Sequence, residues 1–94
     1  MEKEQIIKLL NEQEYPEFMI ENTINKIMNF SLVIAEVFEL WVNNGREPDI
    51  NIEGYSYTEL VNNWGMKPIG AFITLDWLTR EPEKAKISLR KGIK

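Results

Sequence analysis

The stretch YTELVNNWGMKPIGAFITLDWL, residues 57–78, decides the fold. Ser56 and Glu59 form a capping-box pattern at its start, in which each side chain satisfies a backbone amide of the first helical turn. Gly65 ends the first helix, and Pro68 suits the start of the next because no amide hydrogen is needed there. The pattern therefore predicts two helices joined by a tight turn, the first over residues 57–63 and the second over residues 68–80.

The segment upstream, LVIAEVFELWV (residues 32–42), has two glutamates as its only charged residues. Ser31 is a candidate N-cap for a helix here, and Gly45 suits the left-handed residue that closes one. A helix over residues 31–44 that is apolar on nearly all sides is typical of a central core element. We therefore expect this helix to organise the core.

Two amphipathic helices are predicted at the N-terminus, over residues 2–13 and 16–29. In the second, Ile20, Ile24 and Ile27 share one helix face. Such a face needs a packing partner, because short isolated helices are marginal in water.

Two short strands complete the predicted elements. Ile50 and Ile52 alternate with polar residues before the quoted stretch, and residues 85–90 alternate strictly after it, behind Pro82. The sequence thus predicts a mainly α protein with a minimal two-stranded β-sheet and two N-terminal helices.

Residues 31–94 resemble the winged helix-turn-helix superfamily, in particular its small, uncharacterised prokaryotic members. The resemblance rests on the quoted stretch, in which Gly65 and Met66 occupy the positions of the tight turn and an inward apolar residue, and on Thr79-Arg80-Glu81 leading into the last predicted strand. One departure is that the chain continues only four residues beyond Arg90, so the second strand of the wing is short or missing. At 94 residues we expect a single domain, with residues 1–29 as a helical extension of a winged-helix-like core over residues 31–94.

The resemblance implies that the helix over residues 68–80 is the one that enters the DNA major groove. Base recognition requires polar side chains on its outward face, whereas alignment on Gly65 and Met66 places mostly apolar residues there. We expect these apolar residues to be covered, by helix 16–29, by a second copy of the chain or by another protein. The face is then either a partner-contact surface or one side of an internally packed helix with no functional face, and insertion into the DNA groove is the third alternative. The outward positions are Lys67, Ile69, Gly70, Phe72, Ile73, Asp76 and Trp77, of which Ile69, Phe72, Ile73 and Trp77 are the predicted partner-contact residues.

The charge of the chain is divided unevenly. Residues 1–60 have a net charge of −8, whereas residues 61–94 have a net charge of +4. In winged helices this basic region contacts the phosphate backbone, although lysines on a solvated edge strand explain it equally well. The candidate phosphate-contact residues are Lys67, Arg80, Lys84, Lys86, Arg90 and Lys91.

Several chemistries are excluded by composition. The chain has no cysteine and no histidine, so it lacks disulfides, thiolate nucleophiles and imidazole acid–base groups. It has no glycine-rich phosphate loop and no serine elbow. Residues 49–54 resemble the start of a calcium loop, but Leu60 stands where the bidentate glutamate is required. We expect no enzyme activity, catalytic residue, cofactor or metal.

The sequence favours a non-enzymatic regulatory module that acts through contact with a protein partner or as a homodimer. The alternative is a nucleic-acid-binding transcriptional regulator that uses the helix-turn-helix and the basic C-terminal strand. The start of the chain has no signal-peptide pattern, and its longest apolar stretch contains two glutamates. We therefore expect no membrane association and a cytoplasmic location.

Overall fold

A computed structural model describes residues 2–92, in which six helices and one short hairpin form two compact units that divide between Phe30 and Ser31. The predicted helices over residues 16–29, 31–44, 57–63 and 68–80 are confirmed to within two residues at each end. The elements are α1 (Lys3–Glu12), α2 (Glu17–Met28), α3 (Leu32–Asn44), β1 (Asn51–Ile52), β2 (Tyr55–Ser56), α4 (Tyr57–Asn62), α5 (Pro68–Arg80) and α6 (Pro82–Gly92).

In the first unit, α1 packs against α2. The buried apolar residues follow the helical period, with Ile6 and Leu10 on α1 and Ile24 and Ile27 on α2. The side chains of Lys3 and Glu21 form an exposed ion pair at 3.8 Å.

In the second unit, α5 is the central helix. It packs against α3, α4, α6 and β1, and its buried residues occupy about half of its circumference. By contrast, α3 buries only Ile34 and Phe38. The prediction that helix 31–44 organises the core is therefore wrong, because α3 buries two residues whereas α5 buries five and contacts four other elements. The buried residues of α5 are Ile69, Ala71, Phe72, Leu75 and Leu78.

The sheet is a local hairpin, in which β1 pairs with β2 antiparallel with Ile52 opposite Tyr55. Its two loop residues, Glu53 and Gly54, have φ angles of 54° and 89°, as a type I′ turn requires. The Oδ1 atom of Asn51 accepts a hydrogen bond from the Gly54 amide at 3.1 Å. The predicted strand around Ile52 is confirmed, but its partner is β2 instead of residues 85–90.

The predicted strand over residues 85–90 is wrong, because this segment belongs to α6. Pro82 begins this helix, and the Ala85 amide donates to the Glu81 carbonyl at 3.0 Å as its first helical bond. Ala85 and Leu89, four residues apart, are buried, whereas Ile87 is 48% exposed. Within residues 2–92, a helix therefore follows α5 where the resemblance places the first strand of a wing.

The start of α3 also differs from the prediction, since the hydroxyl of Ser31 makes no capping hydrogen bond. The Ser31 amide instead donates to Oδ1 of Asp76 on α5 at 2.8 Å. The carboxylate lies at the positive end of the α3 helix dipole, where a negative charge is stabilising.

Candidate protein-contact surface

Two of the predicted partner-contact residues, Ile69 and Phe72, lie in the core and not on an outward face. Both have no exposed surface. The ring of Phe72 lies 5.1 Å from that of Phe38 on α3 and 5.1 Å from that of Tyr57 on α4, measured between ring centres. The prediction that these two residues contact a partner is wrong, because α3 and α4 cover the side of α5 that the helix-turn-helix alignment leaves open.

The other two predicted contact residues remain at the surface. Ile73 is half-buried and Trp77 is 36% exposed. The polar residue beside them is Asp76. Its carboxylate accepts a hydrogen bond from the Ser31 amide and forms an ion pair with Nε of Arg80 at 2.9 Å. The exposed part of α5 therefore lacks the row of polar side chains that reads base edges.

Most of the predicted phosphate-contact residues do come together along α6, but several are paired with carboxylates. Nζ of Lys84 lies 3.1 Å from Glu81. Nζ of Lys86 lies 3.0 Å from Glu53 in the hairpin turn and 3.4 Å from Glu83. Hydrogen bonds that the Lys86 ammonium donates to Glu53, and then to Glu83, raise the pKa of Lys86 above its ordinary value.

The last turn of α6 contains the two remaining basic candidates, Arg90 and Lys91, and both are exposed. None of the ion pairs among residues 2–92 involves either of them. Lys67 lies elsewhere, immediately before the first residue of α5. The structure therefore offers a small basic patch on α6 instead of a basic strand.

The feature that the sequence did not predict is an apolar face of α3 in solvent. Leu32 is 76% exposed, Val33 is 44% exposed and Leu40 is 42% exposed. Glu36 lies on the same side, since it is four residues from both leucines. The apolar character of these residues was visible in the sequence, but it indicated burial. Their exposure follows from α3 packing through one side only.

An open groove of about 500 Å³ lies along α1 and α2 in the first unit. Burial raises the pKa of the Tyr15 hydroxyl that lines it. The ionisable groups in its lining are two glutamates and this tyrosine. Its lining residues are Ile7, Asn11, Tyr15, Glu17, Ile20 and Glu21.

Residues 49–54, which resemble the start of a calcium loop, comprise two residues before β1, the strand β1 itself and the turn that joins it to β2. Across residues 2–92, no cluster of three or more acidic side chains is arranged to bind a metal ion. No helix in this range has the length and apolar character needed to cross a membrane. No protein-family model, curated protein or solved structure matches the chain.

Proposed function

We propose that the protein is a non-enzymatic regulatory module that acts through protein–protein contact or self-association, with the exposed face of α3 as its contact surface. We define this α3 face as Leu32, Val33, Glu36 and Leu40. The observation that supports the proposal most strongly is the exposure of its three apolar residues. Exposed apolar surface that is not needed for the core is characteristic of interaction sites.

The alternative is a nucleic-acid-binding regulator that uses Arg90 and Lys91 on α6 together with Lys67. In its favour, the last turn of α6 is basic and exposed. Against it, Lys84 and Lys86 form ion pairs with nearby glutamates. Few phosphate contacts remain, and weak, salt-sensitive binding is the expected result.

Light scattering over a range of protein concentrations, with and without duplex DNA at low salt, tests the proposal. We expect a mass that rises with protein concentration and does not change when DNA is added. Leu40→Glu should abolish the rise, because it places a charge in the α3 face. Phe18→Glu is the matched control, since Phe18 is 85% exposed on α2 and lies outside the α3 face.

Two results together would overturn the proposal. The first is sequence-selective binding to duplex DNA with micromolar affinity at physiological salt, and the second is a light-scattering mass that Leu40→Glu does not alter. Circular dichroism of both variants checks that the helices are retained.

A further inference from the structure

We infer that the occupant of the α3 face is a second copy of this chain, which binds through the outer side of its own α6. This inference rests on the proposed function and names the partner. We define the α6 face as Lys84, Ile87, Arg90 and Lys91. The contact is head to tail, with different surfaces used on the two copies.

The α3 face combines apolar and acidic groups. Its apolar residues surround Glu36, and α3 contains no lysine or arginine. A partner for this face must therefore cover apolar side chains and also supply a positive charge.

The α6 face has the complementary composition. Ile87 is 48% exposed on the side of α6 opposite the buried Ala85 and Leu89. Lys84 and Lys91 lie three residues before and four residues after Ile87, so they share its stripe along the helix. The side chain of Lys84 is 77% exposed even though it pairs with Glu81.

The two faces also match in length. Leu32 and Leu40 are separated by about 12 Å along the α3 axis, and Lys84 and Lys91 by about 10.5 Å along the α6 axis, from a rise of about 1.5 Å per residue. The centre of the α3 face is acidic and the centre of the α6 face is apolar, so the two helices meet with a stagger of one turn. Glu36 and Leu40 are four residues apart, as are Ile87 and Lys91, so Ile87 can contact Leu40 while Lys91 faces Glu36.

Pairing of identical faces is disfavoured by the same charges. Two α3 faces would bring together the glutamates of both copies, and two α6 faces would bring together their lysines. Because each molecule offers both faces, head-to-tail contact can continue from copy to copy into a ring or a chain. A single helix pair gives a small interface, so we expect weak association that requires concentrated protein.

Charge reversal on the full-length chain tests the inference. Glu36→Lys and Lys91→Glu should each weaken association by about tenfold or more, since each places like charges across the contact. A mixture of the two variants in equal amounts should restore association, because it supplies one unaltered α3 face and one unaltered α6 face. Glu12→Lys and Lys8→Glu, both on the exposed side of α1, control for the change in net charge.

Sedimentation equilibrium of each variant and of the mixture gives the readout, at low salt and again at high salt, where association should weaken. A wild-type chain that stays monomeric at high concentration overturns the inference. So does a mixture that remains monomeric while the wild type associates. If association is abolished by Leu40→Glu but not by Lys91→Glu, the second copy does not use α6, and the proposed function stands without this inference. A different result overturns the proposed function itself, namely sequence-selective DNA binding with a mass that Leu40→Glu does not alter.

Discussion

Asp76 connects the central helix to the start of α3 through one carboxylate. Its two oxygens accept from the Ser31 amide at 2.8 Å and from Nε of Arg80 at 2.9 Å, and the side chain is only 13% exposed. Hydrogen bonds to a charged group that is shielded from water contribute more to stability than neutral ones. Asp76 is thus a structural residue, although on a recognition helix its charge would repel phosphate.

We predict that Asp76→Ala lowers the free energy of unfolding by about 1.5–3 kcal/mol, because the Ser31 amide loses its partner. Urea denaturation measures the loss. Asp49→Ala removes an exposed aspartate from a loop and should change stability by less than about 0.5 kcal/mol. Equal effects of the two substitutions would show that the tertiary contact adds nothing.

The two serines at helix starts should respond differently to loss of their hydroxyls. The Ser56 hydroxyl accepts a hydrogen bond from the Glu59 amide at 3.1 Å, whereas Oγ of Ser31 is buried and has no hydrogen-bond partner among the described residues. We predict a loss of about 0.5–2 kcal/mol for Ser56→Ala and no loss, or a gain, for Ser31→Ala. Thermal or urea unfolding of both variants measures this. A loss for Ser31→Ala as large as for Ser56→Ala would restore Ser31 as a capping residue.

Among the residues predicted to face outward, Phe72 is fully buried and lies within the aromatic cluster of the core. Its ring contacts the rings of Phe38, Trp41 and Tyr57. We predict that Phe72→Ala costs about 3–5 kcal/mol, the usual range for a buried aromatic side chain. Trp77→Ala, at a position that is 36% exposed, should cost clearly less. A denaturation series in which the two losses are equal would contradict this placement.

At the scale of elements, α6 differs most from what the sequence indicates. Residues 85, 87 and 89 are apolar, which fits the two-residue period of a strand, but residues 85 and 89 also fit the helical spacing of four. Glu83 in the first turn and Arg90 and Lys91 in the last turn suit the helix dipole. Over so short a segment, packing against α5 decides between the two periods.

The helical and the strand period of residues 85–89 predict different losses of stability on mutation. We predict that Leu89→Ala costs about 2–5 kcal/mol, because Leu89 is 7% exposed and its truncation leaves a cavity. Ile87→Ala should change stability by about 0.5 kcal/mol or less. On a strand both side chains would lie on one face, and the two losses would be similar. Urea denaturation of the two variants therefore tests the helix directly.

The elements that could be predicted from sequence are those with strong local signals at their ends. Gly45 has a φ of 64° and closes α3, and Gly65 has a φ of 71° in the turn before α5. Pro68 is the first residue of α5, as predicted. Glycine, proline and capping residues act within a few residues, so they fix helix boundaries without reference to the rest of the fold.

The candidate surface could not be predicted in the same way, because it depends on which sides of α3 and α5 pack against other elements. Both helices are strongly apolar, and composition does not show which of them the other elements surround. The helix-turn-helix alignment therefore predicts an outward Phe72, and the apolar sequence of α3 predicts buried leucines at positions 32 and 40. Only the tertiary packing reverses these assignments.

At the scale of the whole molecule, two groups that titrate at alkaline pH are linked to the folded state of the second unit. Hydrogen bonds to Glu53 and Glu83 raise the pKa of Lys86 above 10.5. Burial, with a smaller contribution from the charge of Glu47, raises the pKa of Tyr57 above 10.0. In both cases the folded chain binds a proton more tightly than the unfolded chain, so stability falls as that proton is released.

We predict that stability is constant with respect to these two groups below about pH 9 and falls as the pH rises through 10.0 and 10.5, the ordinary values for tyrosine and lysine. Urea denaturation at about pH 8 and about pH 11 measures the change. Lys86→Met and Tyr57→Phe each remove one of the two titrations, so each variant should lose less stability between the two pH values than the wild type. Lys26→Met, at an exposed position on α2, controls for the loss of one positive charge. If both variants lose as much as the wild type, neither the Lys86 contact with the hairpin nor the burial of Tyr57 is coupled to folding.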